Sequence, residues 1–148
     1  MSVKSSIYIT FILSLSLSRA AISNDIVFDK EQINLAGEEY VVEIARSQKQ
    51  RRHGLMYRDQ LGKRQGMLFI YPRSGDHRIW MKNTLIPLTV VWFDESRTVI
   101  GVKKLVPCTT EYCPSFGVSK PSKYVLELNS DNHDLNPGLK FNNLFQLE

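Results

Sequence analysis

Apolar positions in this chain come in short runs separated by turn residues. Ile26 to Phe28 and Tyr40 to Ala45 read as strands, joined by a turn near Gly37. Ser47 followed by Gln50 has the form of a capping box, so a short helix is expected over Gln48 to His53, stopped by Gly54. That helix is almost wholly polar. Its anchors to the core are expected just past the glycine, at Leu55 and Met56.

Met67-Leu68-Phe69-Ile70-Tyr71 is a continuous apolar run ended by Pro72, which favours a buried strand over a helix. Pro72 to Asp76 reads as a turn, His77 to Lys82 as a strand and Leu85 to Asp94 as the longest strand. In the last, both alternating faces are apolar. Leu85, Val91 and Phe93 lie on one, and Ile86, Leu88, Val90 and Trp92 on the other. A strand of that kind is central and covered on both sides. Pro87 suits its first residues or an edge position.

Asp94 to Arg97 reads as a hairpin turn into a strand over Thr98 to Val106. Lys123 to Asn129 alternates, with Tyr124, Leu126 and Leu128 inward and Lys123, Val125 and Glu127 outward. Ser130 to Gly138 is a turn region with room for one helical turn, and Asn143 to Leu147 a closing strand. Seven or eight short strands with one short helix predict an all-β fold, an antiparallel β-sandwich or a partly closed barrel. The lack of crossover helices excludes, on this reading, a parallel βαβ design.

The start of the chain departs from this pattern. Lys4 precedes an apolar stretch from Ile7 to Leu17, and small residues follow at Ser18, Ala20, Ala21 and Ser23. That order predicts a secretory signal peptide over residues 1–23, cleaved after Ala20 or Ser23, and a single domain over 24–148. The alternative is an uncleaved segment tethering the protein to the envelope at the inner membrane. The expected location is periplasmic or extracellular. Losing Lys4 and Arg19 with the leader lowers the formal net charge from +4 to +2, which gives weak grounds for a nucleic-acid partner. The 148 residues are 43% hydrophobic and 23% charged, the balance of a globular domain.

Cys108 and Cys113 are the only cysteines. In an oxidising compartment they are expected to form a disulfide that pins the loop from Pro107 to Pro121. C-x4-C is neither a thioredoxin-type redox spacing nor a closed zinc site. His53, His77 and His133 are scattered, so no metal site or cofactor is implied. No G-x-S-x-G, H-E-x-x-H or phosphate loop is present.

The candidate chemistry gathers at Trp80-Met81-Lys82-Asn83-Thr84. Two apart on a strand, Trp80 and Lys82 share a face, where an indole beside an ammonium suits a planar or anionic ligand. Asn83 adds two donors and an acceptor. The bland alternative buries Trp80, lays Lys82 along apolar surface and uses Asn83 at a bend. Arg51, Arg52, His53, Arg58, Lys63 and Arg64 form a basic stretch suited to phosphate or anionic lipid headgroups, although such a run is more often a solvated face. Within it, the Arg52 guanidinium is a partner for Glu127 or for a ligand carboxylate.

Four ordered motifs carry a family resemblance: Arg52-His53-Gly54-Leu55-Met56, Gly66-Met67-Leu68-Phe69, Trp80 to Thr84 with Ile86-Pro87-Leu88, and Tyr124 to Asn129. Together they resemble the bacterial and archaeal family known as domain of unknown function 192, over roughly Glu43 to Leu147. The resemblance implies a small all-β protein, often exported or membrane-tethered, in a family without an established activity. The chain departs from the family pattern at Thr89, where an acid is usual after Ile-Pro-Leu, at Ser130 in place of glycine, and at Lys140-Phe141-Asn142 in place of a Gly-Asp turn.

Three functions follow. The first is an exported binding module for a small polar or anionic ligand, a glycan or envelope component, held by Arg52, Trp80, Lys82, Asn83 and Glu127. The second is an envelope interaction or scaffold protein. The third is a carboxylate-dependent hydrolase, which needs a second acid beside Glu127. No catalytic residue is assigned, and the balance leans away from an enzyme.

Overall fold

The computed structural model describes residues 25–130 and 135–142. The leader, His133 and the closing strand expected at Asn143 to Leu147 lie outside the described residues.

Alternation builds the first hairpin. β1 (Asp29–Leu35) and β2 (Glu38–Ala45) pair antiparallel around Ala36 and Gly37, whose φ values of 56° and 81° are the left-handed pair a tight hairpin turn requires. Ile33, Leu35, Tyr40, Val42 and Ile44 are buried together on one face. The strand expected at Ile26 to Phe28 is absent; β1 begins at Asp29. The earlier segment instead runs beside the helix, where the Val27 carbonyl accepts from Gln50 Nε2 at 2.8 Å.

The helix α1 spans Gln48–His53. Ser47 and Gln50 close the capping box in both directions, and the Gly54 N–H donates to the Gln50 carbonyl. From there the chain returns as β3 (Gln65–Gly75), parallel to β2 in the register Val41↔Gln65 to Ala45↔Phe69. This corrects the expectation of a purely antiparallel sheet. Residues 46–64 are long enough for a crossover, although only six of them are helical.

β3 also runs through Pro72, which does not end it. The ladder to β8 (Ser122–Asn129) shifts register between Ile70 and Gly75, so the missing proline N–H falls where the pairing is already irregular.

The large sheet has the order β6-β5-β8-β3-β2-β1-β9, with β5 (Leu88–Phe93), β6 (Val99–Leu105), β8 (Ser122–Asn129) and β9 (Phe141–Asn142). It curls until its two ends meet. Thr98 bridges Lys140, the Val99 N–H donates to the Leu139 carbonyl and the Phe141 N–H to the Arg97 carbonyl. Of the two expected architectures, this is the partly closed barrel. The segment in which relatives usually turn is here the β9 strand, with Phe141 edge-on to Phe93 at 4.7 Å.

β5 lies between β6 and β8, and both its faces are buried. Val91 and Phe93 join an inner cluster, and Leu88, Val90 and Trp92 an outer one. The outer face is covered by Leu55, Leu61, Ile79, Met81, Phe116 and Val118. A two-stranded sheet of β4 (Ile79–Trp80) and β7 (Ser115–Phe116) belongs to that cover. The strand expected over His77 to Lys82 is thus reduced to two residues. The chain turns at Lys82 and Asn83, with Asn83 at φ 56°.

Candidate functional site

Strand alternation sends Glu127 to the outer side, opposite Leu126 and Leu128, as the sequence predicts. Its cross-strand partners are Met67 and Val90, both in the outer cluster. The outer side is not solvent, however: Glu127 is only 5% exposed. Among the described residues its carboxyl has no hydrogen bond and no ion pair. Burial pushes its pKa up to about 8, with the Arg58 guanidinium acting in the opposite direction. Arg58 itself is engaged elsewhere, in a two-pronged bond to Glu43 at 2.9 and 2.6 Å.

Above Glu127 lies a recess of about 70 Å³. Phe69, Tyr71 and Thr84 line it with Glu127, and Arg51, Arg52, Arg78 and Trp80 stand around it. The family-like motifs converge here. Gly54, at φ 52°, approaches Phe69 so closely that a Cβ would lie 3.3 Å from the ring. A Cβ at Gly66 would meet the Glu127 carbonyl oxygen at 2.5 Å. The two glycines therefore let α1 and β3 close on the floor of the recess.

The guanidiniums differ in their freedom. Arg51 donates to the Arg46 carbonyl and to the Ile70 carbonyl at 3.1 Å, and lies 5.1 Å over the Tyr71 ring. Arg78 is held by Ser115, through Oγ at 3.0 Å and the carbonyl at 2.8 Å. Arg52 is exposed, with no such bond. Tyr71 is stacked on His77 at 3.5 Å, and burial together with the Glu127 charge pushes its pKa up to about 12.

The structure thus brings Arg52, Trp80 and Glu127 to one recess, without an ion pair between Arg52 and Glu127. Lys82 and Asn83 do not line it. Lys82 Nζ sits 5.5 Å from the Trp80 ring. Asn83 is a brace: its Nδ2 donates to the Tyr57 hydroxyl at 2.8 Å and its carbonyl accepts from the Tyr57 N–H at 2.8 Å. Tyr71, Arg51 and Arg78 were not singled out by sequence as site residues. Nor was the Arg58–Glu43 pair. Glu43, a charged residue between Val42 and Ile44, is the signal that would have found the pair.

Among the described residues Glu127 is the sole carboxylate lining the recess, so hydrolysis by paired acids has no second acid among them there. Thr89 does not belong to the site. It pairs with Leu128 across β8 and is buried on the inner face. An acid at that position would lie on the other side of the sheet.

Cys108 and Cys113 form a disulfide. It holds the loop whose Cys108 N–H donates to the Met81 carbonyl at 3.4 Å, just ahead of the Ser115 that grips Arg78.

These features define a class: a curled β-sheet domain carrying a guanidinium-ringed recess over one buried carboxyl. The chain belongs to the DUF192 family, described as an uncharacterized ACR, whose pattern it matches over residues 31–140. It is similar to a protein of Sinorhizobium meliloti 1021 described as a candidate transcription regulator. The two are 31% identical, with 80% of this chain and 96% of that one covered and a TM-score of 0.70. A protein of unknown function from Novosphingobium aromaticivorans DSM 12444 is 26% identical, covering 78% and 84% of the respective chains with a TM-score of 0.66. No curated protein matches the chain.

Proposed function

We propose that this protein is an exported binding module for a small anionic molecule, seated in the recess between α1 and the segment around Trp80. One observation carries the reading: a buried carboxyl without a partner lies beneath a ring of three guanidiniums. Guanidiniums recognise carboxylate and phosphate through paired donors. Trp80, 47% exposed on the recess wall, offers a flat apolar face for the ligand body. A leader-like start and a disulfide both suit a protein that works outside the cytosol.

The test is a thermal-shift screen of the natively purified protein against carboxylates, phosphates, acidic and neutral sugars and duplex DNA. The DNA arm meets the description attached to the Sinorhizobium relative. A ligand at about 100 times its Kd stabilises the native state by roughly 2.7 kcal/mol, and that shift is expected for an anion and lost in the Arg52→Ala/Arg78→Ala variant. No shift with any anion, or a shift indifferent to both arginines, would sink the reading. Intact mass of the same preparation reports leader removal; a full-length mass would contradict cleavage.

A further inference from the structure

We infer that the recess takes a zwitterion. A ligand amine enters to meet the Glu127 carboxylate, while the ligand's own acidic group stays outside on Arg52 and Arg78. This deepens the binding reading above and rests on it.

An anion alone leaves half of the site unexplained. Arg52 and Arg78 satisfy a ligand acid at the mouth, but Glu127, deeper and almost wholly buried, is then left without a partner. A buried polar group left without a partner is costly, and a ligand that supplies the partner removes that cost. The walls suit a cation as well. Phe69 and Trp80 put two aromatic rings into the lining of so small a space, beside Tyr71 whose own faces are taken by His77 and Arg51, and ring faces attract ammonium. A recess of about 70 Å³ admits an amino group and its carbon, not a whole ligand. The body is left at Trp80. A free α-amino acid or the amino terminus of a short acidic peptide shares this chemistry, and the test separates them.

Proton balance follows from the surroundings of Glu127. Arg58 with Glu43 faces it from the segment after the helix and from β2, Tyr71 from β3, Arg51, Arg52 and His53 from α1, and Arg78 from the approach to β4. In this setting Glu127 is a neutral carboxylic acid at neutral pH until a cation reaches it. Ammonium binding ionises it, and the carboxyl proton leaves to solvent. Affinity for the zwitterion therefore rises with pH through about 8.

Calorimetry of the full chain decides the matter, near neutral pH and in two buffers of different ionisation enthalpy. The probes are the twenty amino acids, their N-acetyl forms, the matching amine-free carboxylates and dipeptides beginning with an acidic residue. The expected result is that at least one free amine binds about tenfold or more tighter than its N-acetyl form, as a charge-assisted hydrogen bond allows, and releases a proton. Glu127→Gln, shown to be folded by its melting temperature, should abolish that preference and the proton release. Carboxylates that bind with no preference for an amine, or a preference that survives Glu127→Gln, overturn this inference alone. No binding by any probe overturns it together with the anion-binding reading. A dipeptide outranking every free amino acid identifies a peptide terminus as the ligand.

Discussion

Along β8, Leu126 and Leu128 enter the inner cluster, whereas Val125 and Glu127 enter the outer one. Both pairs are buried, but the two sides are closed by different means. The inner side is closed by the sheet curling on itself, with Phe93, Tyr124 and Phe141 meeting edge to face. The outer side is closed by separate pieces: a helix of six residues, a sheet of two short strands and the disulfide loop. A continuous sheet can seal an interior completely; a cover of separate pieces leaves a gap where they meet. That gap is the recess, and Glu127 sits beneath it. Both sides pack a core, and only the outer one also carries the candidate chemistry.

The largest effect expected from this contrast lies on the inner side. Phe93→Ala should cost about 3–5 kcal/mol, the usual penalty for emptying a buried aromatic position. Phe93 is fully buried and packs edge-on to Phe141. Urea unfolding measures the loss, and ligand binding of the surviving folded protein should be unchanged. A loss below about 1 kcal/mol would mean that the inner side is not the rigid one.

The next effect has the opposite sign and belongs to Glu127. Its pKa rises from 4.5 to about 8 on folding, so the native state holds a proton that the unfolded chain gives up. Stability from this group is fully present below about 4.5 and is lost as pH rises through about 8. Glu127→Gln keeps the neutral shape and cannot ionise. It should therefore match the parent at acidic pH and exceed it above pH 8 by roughly 2–4 kcal/mol. Parallel stability curves for the two proteins between those limits would show that Glu127 is not held in its neutral form.

How much of this was legible follows the range of the interactions involved. Ser47, Gln50 and Gly54 fix α1 within a few residues of one another, and the helix bounds follow from them. The two apolar faces of β5 foretold a strand covered twice, and the alternation of β8 gave the correct side for Glu127. What alternation lacks is any statement of what covers the second side. Glu127 therefore read as outward, hence wet, until β4, β7 and α1 were in place. The parallel pairing of β2 with β3 was hidden for a similar reason, since register between strands is set by tertiary contacts. Arg58 read as one charge in a basic run because its partner, Glu43, lies fifteen positions away on β2. Trp80 and Lys82 do meet, through a turn at Asn83 rather than along a shared strand face.

The smallest effects sharpen the contrast inside the outer cover itself, where Asn83 and Lys82 are neighbours with unlike duties. Asn83 holds a left-handed backbone conformation and ties its turn to Tyr57 by two hydrogen bonds. Asn83→Ala keeps the backbone bond, loses the side-chain one and places alanine where asparagine is favoured, for a cost of about 1–2 kcal/mol. Since this turn carries Thr84 into the recess lining, ligand affinity should fall with it. Lys82→Ala removes only an exposed cation from the Trp80 ring, worth about 0.5 kcal/mol, and should leave the melting temperature almost unmoved. If the Lys82 charge also reaches the ligand, affinity will drop in Lys82→Ala without a matching loss of stability and will become less sensitive to salt. If both substitutions instead destabilise equally and neither alters binding, the Trp80–Thr84 turn is only part of the cover, and the arginines and Glu127 hold the ligand without it.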